Sequence, residues 1–186
     1  MKKILSVFLM ILGCFTAFNT YAEETNMTGK KVLVAYFSAT YTTAGVADKL
    51  ARVTGGDLFE IRPEQPYTDA DLDWRNRQSR SSIEMENRSS RPAIASKVEN
   101  MSQYDVVFVG FPIWWYREPS IIDTFIESYD FSGKTIVPFA TSGRSDIGDS
   151  GDNIQALAPQ ARVFRGKRFS ENVSETDLKK WAAEWL

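Results

Sequence analysis

Lys31-Val32-Leu33-Val34-Ala35-Tyr36-Phe37-Ser38-Ala39-Thr40-Tyr41-Thr42-Thr43-Ala44-Gly45-Val46-Ala47-Asp48-Lys49-Leu50-Ala51 changes periodicity partway along. The continuous apolar run Val32–Phe37 predicts a buried strand. From Thr43 the apolar spacing becomes helical, with Val46, Ala47, Leu50, Ala51 and Thr54 on one face. Between them lies a turn carrying the hydroxyls of Ser38, Thr40, Thr42 and Thr43. A strand, a hydroxyl-rich turn and a helix N-terminus together favour an anion, because the first helical N–H groups lack internal acceptors and the dipole end is positive. The donors are neutral, with no Lys or Arg between Ser38 and Asp48. That suits one small, enclosed phosphate better than a nucleoside triphosphate, whose loop ends in Gly-Lys-Ser/Thr. An ordinary strand-to-helix turn capped by Thr42 or Thr43 would use the same hydroxyls.

Working outward, Gly55-Gly56 ends the first helix, over Thr43–Thr54, and Asp57–Ile61 reads as a second strand. Arg62–Arg91 is expected to be irregular, yet ordered and packed through the stretches Asp71–Trp74 and Ser82–Met85. It is either a solvated, salt-bridged excursion or a lid or docking surface. Ala93–Met101 reads as a short helix, with Ile94, Val98 and Met101 on one face. Val106–Gly110 is a continuous apolar run of the kind found in central parallel strands. Pro119 suits the first position of a helix with Ile122, Phe125, Ile126 and Tyr129 inward. Thr135–Ala140 is a strand, Asn153–Leu157 a helix before Pro159, and Ala161–Phe164 a fifth strand. Ser174 caps a last helix presenting Leu178, Trp181, Ala182 and Trp185. Strands alternating with helices predict an α/β fold with a five-stranded parallel sheet, order 2-1-3-4-5. Its ligand crevice lies at the carboxyl ends of the first and third strands.

Two other loops reach that crevice. Pro112, Ile113, Trp114, Trp115 and Tyr116 follow the third strand. Three consecutive aromatics there are costly to expose and suit a planar, largely apolar ligand, unless two of them pack as core. Thr141, Ser142 and Gly143 open the loop after the fourth strand, which runs through Arg144 and Gly148 to Gly151. Its small residues leave backbone groups free for a ligand's polar edge.

Ser38-Ala39-Thr40-Tyr41-Thr42-Thr43 resembles the phosphate loop of flavodoxins, in which a strand ends in Ser/Thr-x-Thr-x-x-Thr; Ala47 and Leu50 match later positions. Two residues depart from that pattern. Ala35 stands where a larger apolar residue is usual, and Tyr41 where the family has a small one, usually Gly. A small residue relaxes φ and admits the phosphate. Tyr41 therefore serves only with its ring turned away from the loop or covering the ligand. The Pro112–Trp115 run also resembles the family's loop against the isoalloxazine ring. By that resemblance Pro112–Tyr116 supply main-chain contacts and a ring wall, and Thr141–Gly143 lie near the ring. Arg144 is a hypothetical cation beside the reduced ring; unchanged potentials in Arg144→Ala would remove that role. The resemblance covers Lys30–Leu186 and implies a flavodoxin-like three-layer sandwich holding FMN non-covalently.

Composition narrows the function further. The chain has 186 residues and no histidine, and its single cysteine is Cys14. Histidine-based nucleophile pairs are thereby excluded, and a borrowed cofactor is the natural source of chemistry. A serine hydrolase also lacks its Gly-x-Ser-x-Gly elbow. A phospho-receiver would need acidic residues after the first strand, where Phe37-Ser38 stand, and an Asp after the third, where Pro112-Ile113 stand. Residues 1–22 read as a signal peptide: Lys2 and Lys3, an apolar run, and Thr20-Tyr21-Ala22 before the cut. Ile11-Leu12-Gly13-Cys14 looks like a lipobox, which would instead make Cys14 a lipid anchor. Residues 23–30 form a tether and 31–186 the domain. Losing Lys2 and Lys3 takes the net charge from −2 to −4, against a nucleic-acid partner. The leading expectation is a monomeric, exported or periplasmic FMN protein passing electrons to a redox partner protein or small-molecule acceptor. An FMN-dependent NAD(P)H or quinone-type reductase is the alternative. A binding module that has lost the flavin is the second.

Overall fold

The computed structural model describes residues 29–186. The leader, its cleavage site, Cys14 and most of the tether lie outside those residues. Strand β1 (Val32–Tyr36) leads through the hydroxyl turn into α1 (Thr42–Thr54), and β2 is Asp57–Glu60. After the excursion come β3 (Val106–Pro112), α3 (Ser120–Glu127), β4 (Thr135–Thr141) and α4 (Ser150–Leu157). The short strands β5 (Arg162–Val163) and β6 (Lys167–Phe169) precede α5 (Glu175–Ala182). Within the excursion, α2 spans Arg80–Glu86. No described helix is long and apolar enough to cross a membrane.

The sheet is parallel, with order β2-β1-β3-β4-β5 as the periodicities predict. Strand alternation sends successive side chains to opposite faces, so each strand feeds two cores. Leu33, Ala35, Val107, Val109 and Phe111 pack with Ile121, Ile122 and Phe125 of α3 and Ile154 of α4. Val32, Val34, Val106, Phe108 and Val137 pack with Val46 and Leu50 of α1 and Leu178 and Trp181 of α5. These are the three layers. In β3 the side chains from Val106 to Val109 are wholly inaccessible, which is why that strand reads as an unbroken apolar run. Gly110 pairs with Phe139, and a Cβ there would lie 2.2 Å from the Phe139 ring. The missing side chain lets that ring lie across β3.

Several elements differ from the sequence reading. The fifth strand is split: β5 pairs the start of β4 (Ile136 with Val163), and β6 pairs its end (Phe139 with Lys167). The partner thus carries one residue more than β4 over this span, a bulge centred on Gly166. Gly166 has φ +79°, and a Cβ would fall 2.2 Å from the Pro138 carbonyl oxygen, so only glycine fits. Ala93–Met101 is not a helix. Its start is extended and bonds to the beginning of the excursion: Glu64 N–H donates to Ala93 O (2.9 Å) and Ala95 N–H to Arg62 O (2.8 Å). Val98 N–H donates to the Tyr129 hydroxyl, and only Met101–Gln103 coils, as a 3₁₀ turn. Those external partners outcompete a weak helix that follows Pro92.

The excursion is ordered, but it is not irregular throughout. Ser79 caps α2 by accepting from Ser82 N–H, and Ser81, Ser82 and Met85 are buried. Met85 is the anchor, whereas Trp74 and Ile83 face solvent, 67% and 51% exposed. Pro119 sits one position before α3 rather than inside it, with extended backbone.

Candidate functional site

Parallel strands deliver the three loops to one edge. β1 ends at Tyr36, β3 at Pro112 and β4 at Thr141, in adjacent register. Phe37 N–H donates to Gly110 O (2.9 Å) and Ile113 N–H to Thr141 O (3.0 Å), so the ladder fixes where each loop begins. The buried hydroxyls of Thr43 and Thr141 then meet at 2.7 Å, joining the first loop to the third.

The first loop has the features of an anion cradle. Helix α1 begins with no side-chain cap: Tyr41 holds the cap position at φ 63°, ψ −7°, and neither Thr42 nor Thr43 caps it. Its helical N–H groups are therefore not satisfied by a hydroxyl of the turn, as they would be in an ordinary capped turn. Ser38 Oγ is buried and has no hydrogen-bond partner. An orphaned buried hydroxyl costs about 1–3 kcal/mol, and a bound acceptor would remove that cost. Neutral donors converging on an uncapped helix start fit a phosphate.

The second loop is a strained aromatic turn. Trp114 and Arg117 exchange reciprocal backbone bonds (2.9 and 3.1 Å), while Trp115 and Tyr116 between them have φ +45° and +68°. This is a two-residue turn of the I′ kind, which Asn-Gly would fill without strain. Each bulky left-handed residue costs about 1–3 kcal/mol. Trp114 packs inward, edge-on to Phe37 (5.5 Å, 89°) and Tyr67 (5.3 Å, 82°). Trp115 and Tyr116 do not; they are 43% and 80% exposed. One ring therefore serves as core, and the other two stand at the crevice.

The third loop closes against the second. A Cβ on Gly148, itself at φ +60°, would lie 2.6 Å from the Tyr116 carbonyl oxygen. Ser142 donates its hydroxyl to Ser145 O, and Arg168 donates to Ser142 O (3.3 Å). Gly143 has open space on its Cβ side, and Arg144 is exposed.

Beneath the aromatic turn lies a buried polar cluster that sequence reasoning missed. Arg117, Glu118 and Asp123 are 8%, 0% and 4% exposed. The Arg117 guanidinium reaches Glu118 Oε1 (3.3 Å), Asp123 Oδ2 (3.5 Å) and Ser120 Oγ (3.2 Å). Asn153 donates to both Glu118 oxygens (3.2 Å each), and Glu118 N–H donates to Ser150 Oγ (3.1 Å). The cluster ties the turn to α3 and α4. Burial pushes the Asp123 carboxyl up to about 6; Glu118 adds to this, and Arg117 and Arg91 oppose it. Its Oδ1 has no partner. The sequence signal was Arg117-Glu118 between an aromatic run and Pro119, two charges directly beside residues expected at the crevice.

The excursion supplies a second missed group. Tyr67 lies beside Phe37 (5.7 Å) and Trp114, donates its hydroxyl to Glu84, and carries the Arg80 guanidinium 4.0 Å above its ring. Burial and the Glu84 carboxylate raise the Tyr67 pKa well above the usual phenol range. Tyr67 is thus a structural wall. A groove of about 280 Å³ at the other end of the sheet, between Leu33, Leu58, Val98 and Tyr104, includes none of these loop residues.

An open parallel sheet of this order, with an anion-type loop after β1 and an aromatic loop after β3, defines an α/β protein taking a ligand across its carboxyl edge. The chain belongs to the flavodoxin family, whose model matches residues 31–185. It is similar to a candidate flavoprotein from Bacteroides eggerthii DSM 20697, with 52% identity and TM-score 0.79 over 83% of this chain and 97% of that one. A second candidate flavoprotein, from Bacteroides uniformis ATCC 8492, shares 47% identity and TM-score 0.79, covering 83% of this chain and 99% of the other. A flavoprotein from Lactobacillus acidophilus NCFM, solved in complex with FMN, shares the fold at 20% identity and TM-score 0.60, over 82% and 99% of the two chains. No curated protein matches.

Proposed function

We propose that this flavodoxin binds FMN non-covalently and transfers electrons through it outside the cytoplasm. The observation that carries this reading is the buried, unpartnered Ser38 hydroxyl beside an uncapped helix start. Such a loop fits a phosphate, and the exposed aromatic turn across the crevice fits a planar ring. The FMN bound by the Lactobacillus flavoprotein supports the choice of ligand. Bound FMN supplies one- and two-electron chemistry.

The protein's own part is positional. Ser38, Thr40, Thr42 and the first α1 amides hold the phosphate. Pro112–Tyr116 line the ring, with Trp115 and Tyr116 as its aromatic wall. Thr141, Ser142 and Gly143 offer backbone groups to its polar edge. The Arg117–Glu118–Asp123 cluster keeps the strained turn in place. Exposed rings that cover an isoalloxazine face favour a carrier over an enzyme that must admit a hydride donor.

Residues 1–22 are read as the export signal, with a lipid anchor at Cys14 as the competing route. Reduced pyridine nucleotides are cytoplasmic, so an exported carrier takes its electrons from a membrane-linked donor. A visible spectrum of residues 23–186 mixed with FMN, followed by reductive titration, tests the reading. Flavin absorbance retained on the protein and reduction in two separate one-electron steps support a carrier. One two-electron step supports the reductase alternative, and a colourless protein removes both.

A further inference from the structure

Among the described residues, the non-glycine residues with positive φ are three aromatics, Tyr41, Trp115 and Tyr116, all at the crevice. Trp115 and Tyr116 belong to the ring loop. Tyr41 is elsewhere: it is the residue immediately before α1, in the phosphate loop. Its backbone follows the left-handed path a glycine would take, so a tyrosine adds nothing to the turn and strains it. Tyr41 is 84% exposed, so little of its ring is packed.

One turn further on, the size relation is reversed. Tyr41 O accepts from Gly45 N–H (3.0 Å), and a Cβ at Gly45 would meet nothing within 4 Å. No packing constraint at that point requires glycine, and alanine is the better helix former. A side chain on the first turn of a helix leans back toward its N-terminus, over the residues before it. Glycine there leaves that space without a side chain. A large residue stands where a small one would do, and a small one where a larger would do. Together they leave an exposed ring beside the start of α1, at the outer end of the anion cradle.

We infer that Tyr41 closes the phosphate end of the site, covering the phosphomonoester of FMN and excluding a flavin dinucleotide whose second phosphate and adenosine must leave through that opening. This rests on the cofactor reading above and adds a selectivity to it. An aromatic face laid over a ligand and its water-filled opening slows release as well as excluding a longer ligand.

The test measures dissociation of FMN, FAD and riboflavin by flavin fluorescence in the wild-type chain, Tyr41→Gly and Tyr41→Phe, with thermal unfolding of each apoprotein. Tyr41→Gly is expected to unfold at a higher temperature, because it relieves the left-handed strain. It should release FMN about tenfold faster and narrow the preference for FMN over FAD by a similar factor, with riboflavin unchanged. Tyr41→Phe, which keeps the ring, should behave as wild type. If Tyr41→Gly holds FMN as tightly as wild type and rejects FAD equally, the ring is a bystander and the inference fails while the cofactor reading stands. If the wild-type chain binds no flavin, both fail.

Discussion

The hydroxyls of Thr43 and Thr141 lie 2.7 Å apart, buried, and join residues 98 positions apart in the chain. Thr43 lies in the first turn of α1 after the phosphate-type loop, and Thr141 ends β4 where the third loop starts. The pair therefore sets the distance between two walls of the crevice. Replacing one member by valine leaves the other hydroxyl buried without a partner, at an expected cost of about 1–2 kcal/mol. Thr43→Val with Thr141→Val should recover most of that loss. A double-mutant cycle by urea denaturation should give a coupling of about 1 kcal/mol. Additive single effects would mean that the pair does not hold the loops.

Asp123 makes stability pH-dependent in an unusual direction. Burial first, and Glu118 second, raise its carboxyl from 3.8 to about 6, even against the pull of Arg117 and Arg91. The folded chain thus holds this proton more tightly than the unfolded chain does. The group favours folding most below its unfolded value, and that contribution is lost as pH rises through about 6. Asp123→Asn should leave stability unchanged near pH 3.5 and raise it by about 1–2 kcal/mol at pH 8, after allowance for solvent screening. A loss of stability at pH 8 would show that the Arg117 pairing outweighs the buried charge.

The aromatic turn should show a trade between stability and binding. Replacing Trp115-Tyr116 by Asn-Gly gives the turn the residues its φ angles of +45° and +68° require. The variant is expected to gain about 1–3 kcal/mol in thermal or urea unfolding. It should lose flavin affinity about tenfold or more, because two exposed rings leave the crevice. A variant that is stabilised and binds FMN normally would remove Trp115 and Tyr116 from the site.

The sheet was legible in the sequence because each central strand, buried on both faces, has to be an apolar run; Val106–Val109 is the clearest case. The anion-type loop was legible because a change from strand to helix spacing framed its hydroxyls. What escaped depended on partners distant in sequence. Ile94, Val98 and Met101 are spaced like a helix face, but Ile94 pairs with Pro63 and the Val98 amide with Tyr129. The break between β5 and β6 follows from the close approach of Gly166 to the Pro138 carbonyl, which local composition does not encode. The Arg117–Glu118–Asp123 cluster escaped because charged residues beside a proline look solvated until α2, α3 and α4 close over them.

The measurement that tests the central claim most directly is a fluorescence titration of FMN and riboflavin into the wild-type chain and Ser38→Ala. The two ligands differ only in the phosphate that the loop after β1 is argued to hold. One FMN per chain should bind with quenched fluorescence and be favoured over riboflavin by about a hundredfold. Ser38→Ala should erase about tenfold of that preference while leaving riboflavin unchanged. FMN fluorescence untouched by excess protein, or equal affinity for FMN and riboflavin, would contradict the assignment of this loop as a phosphate site.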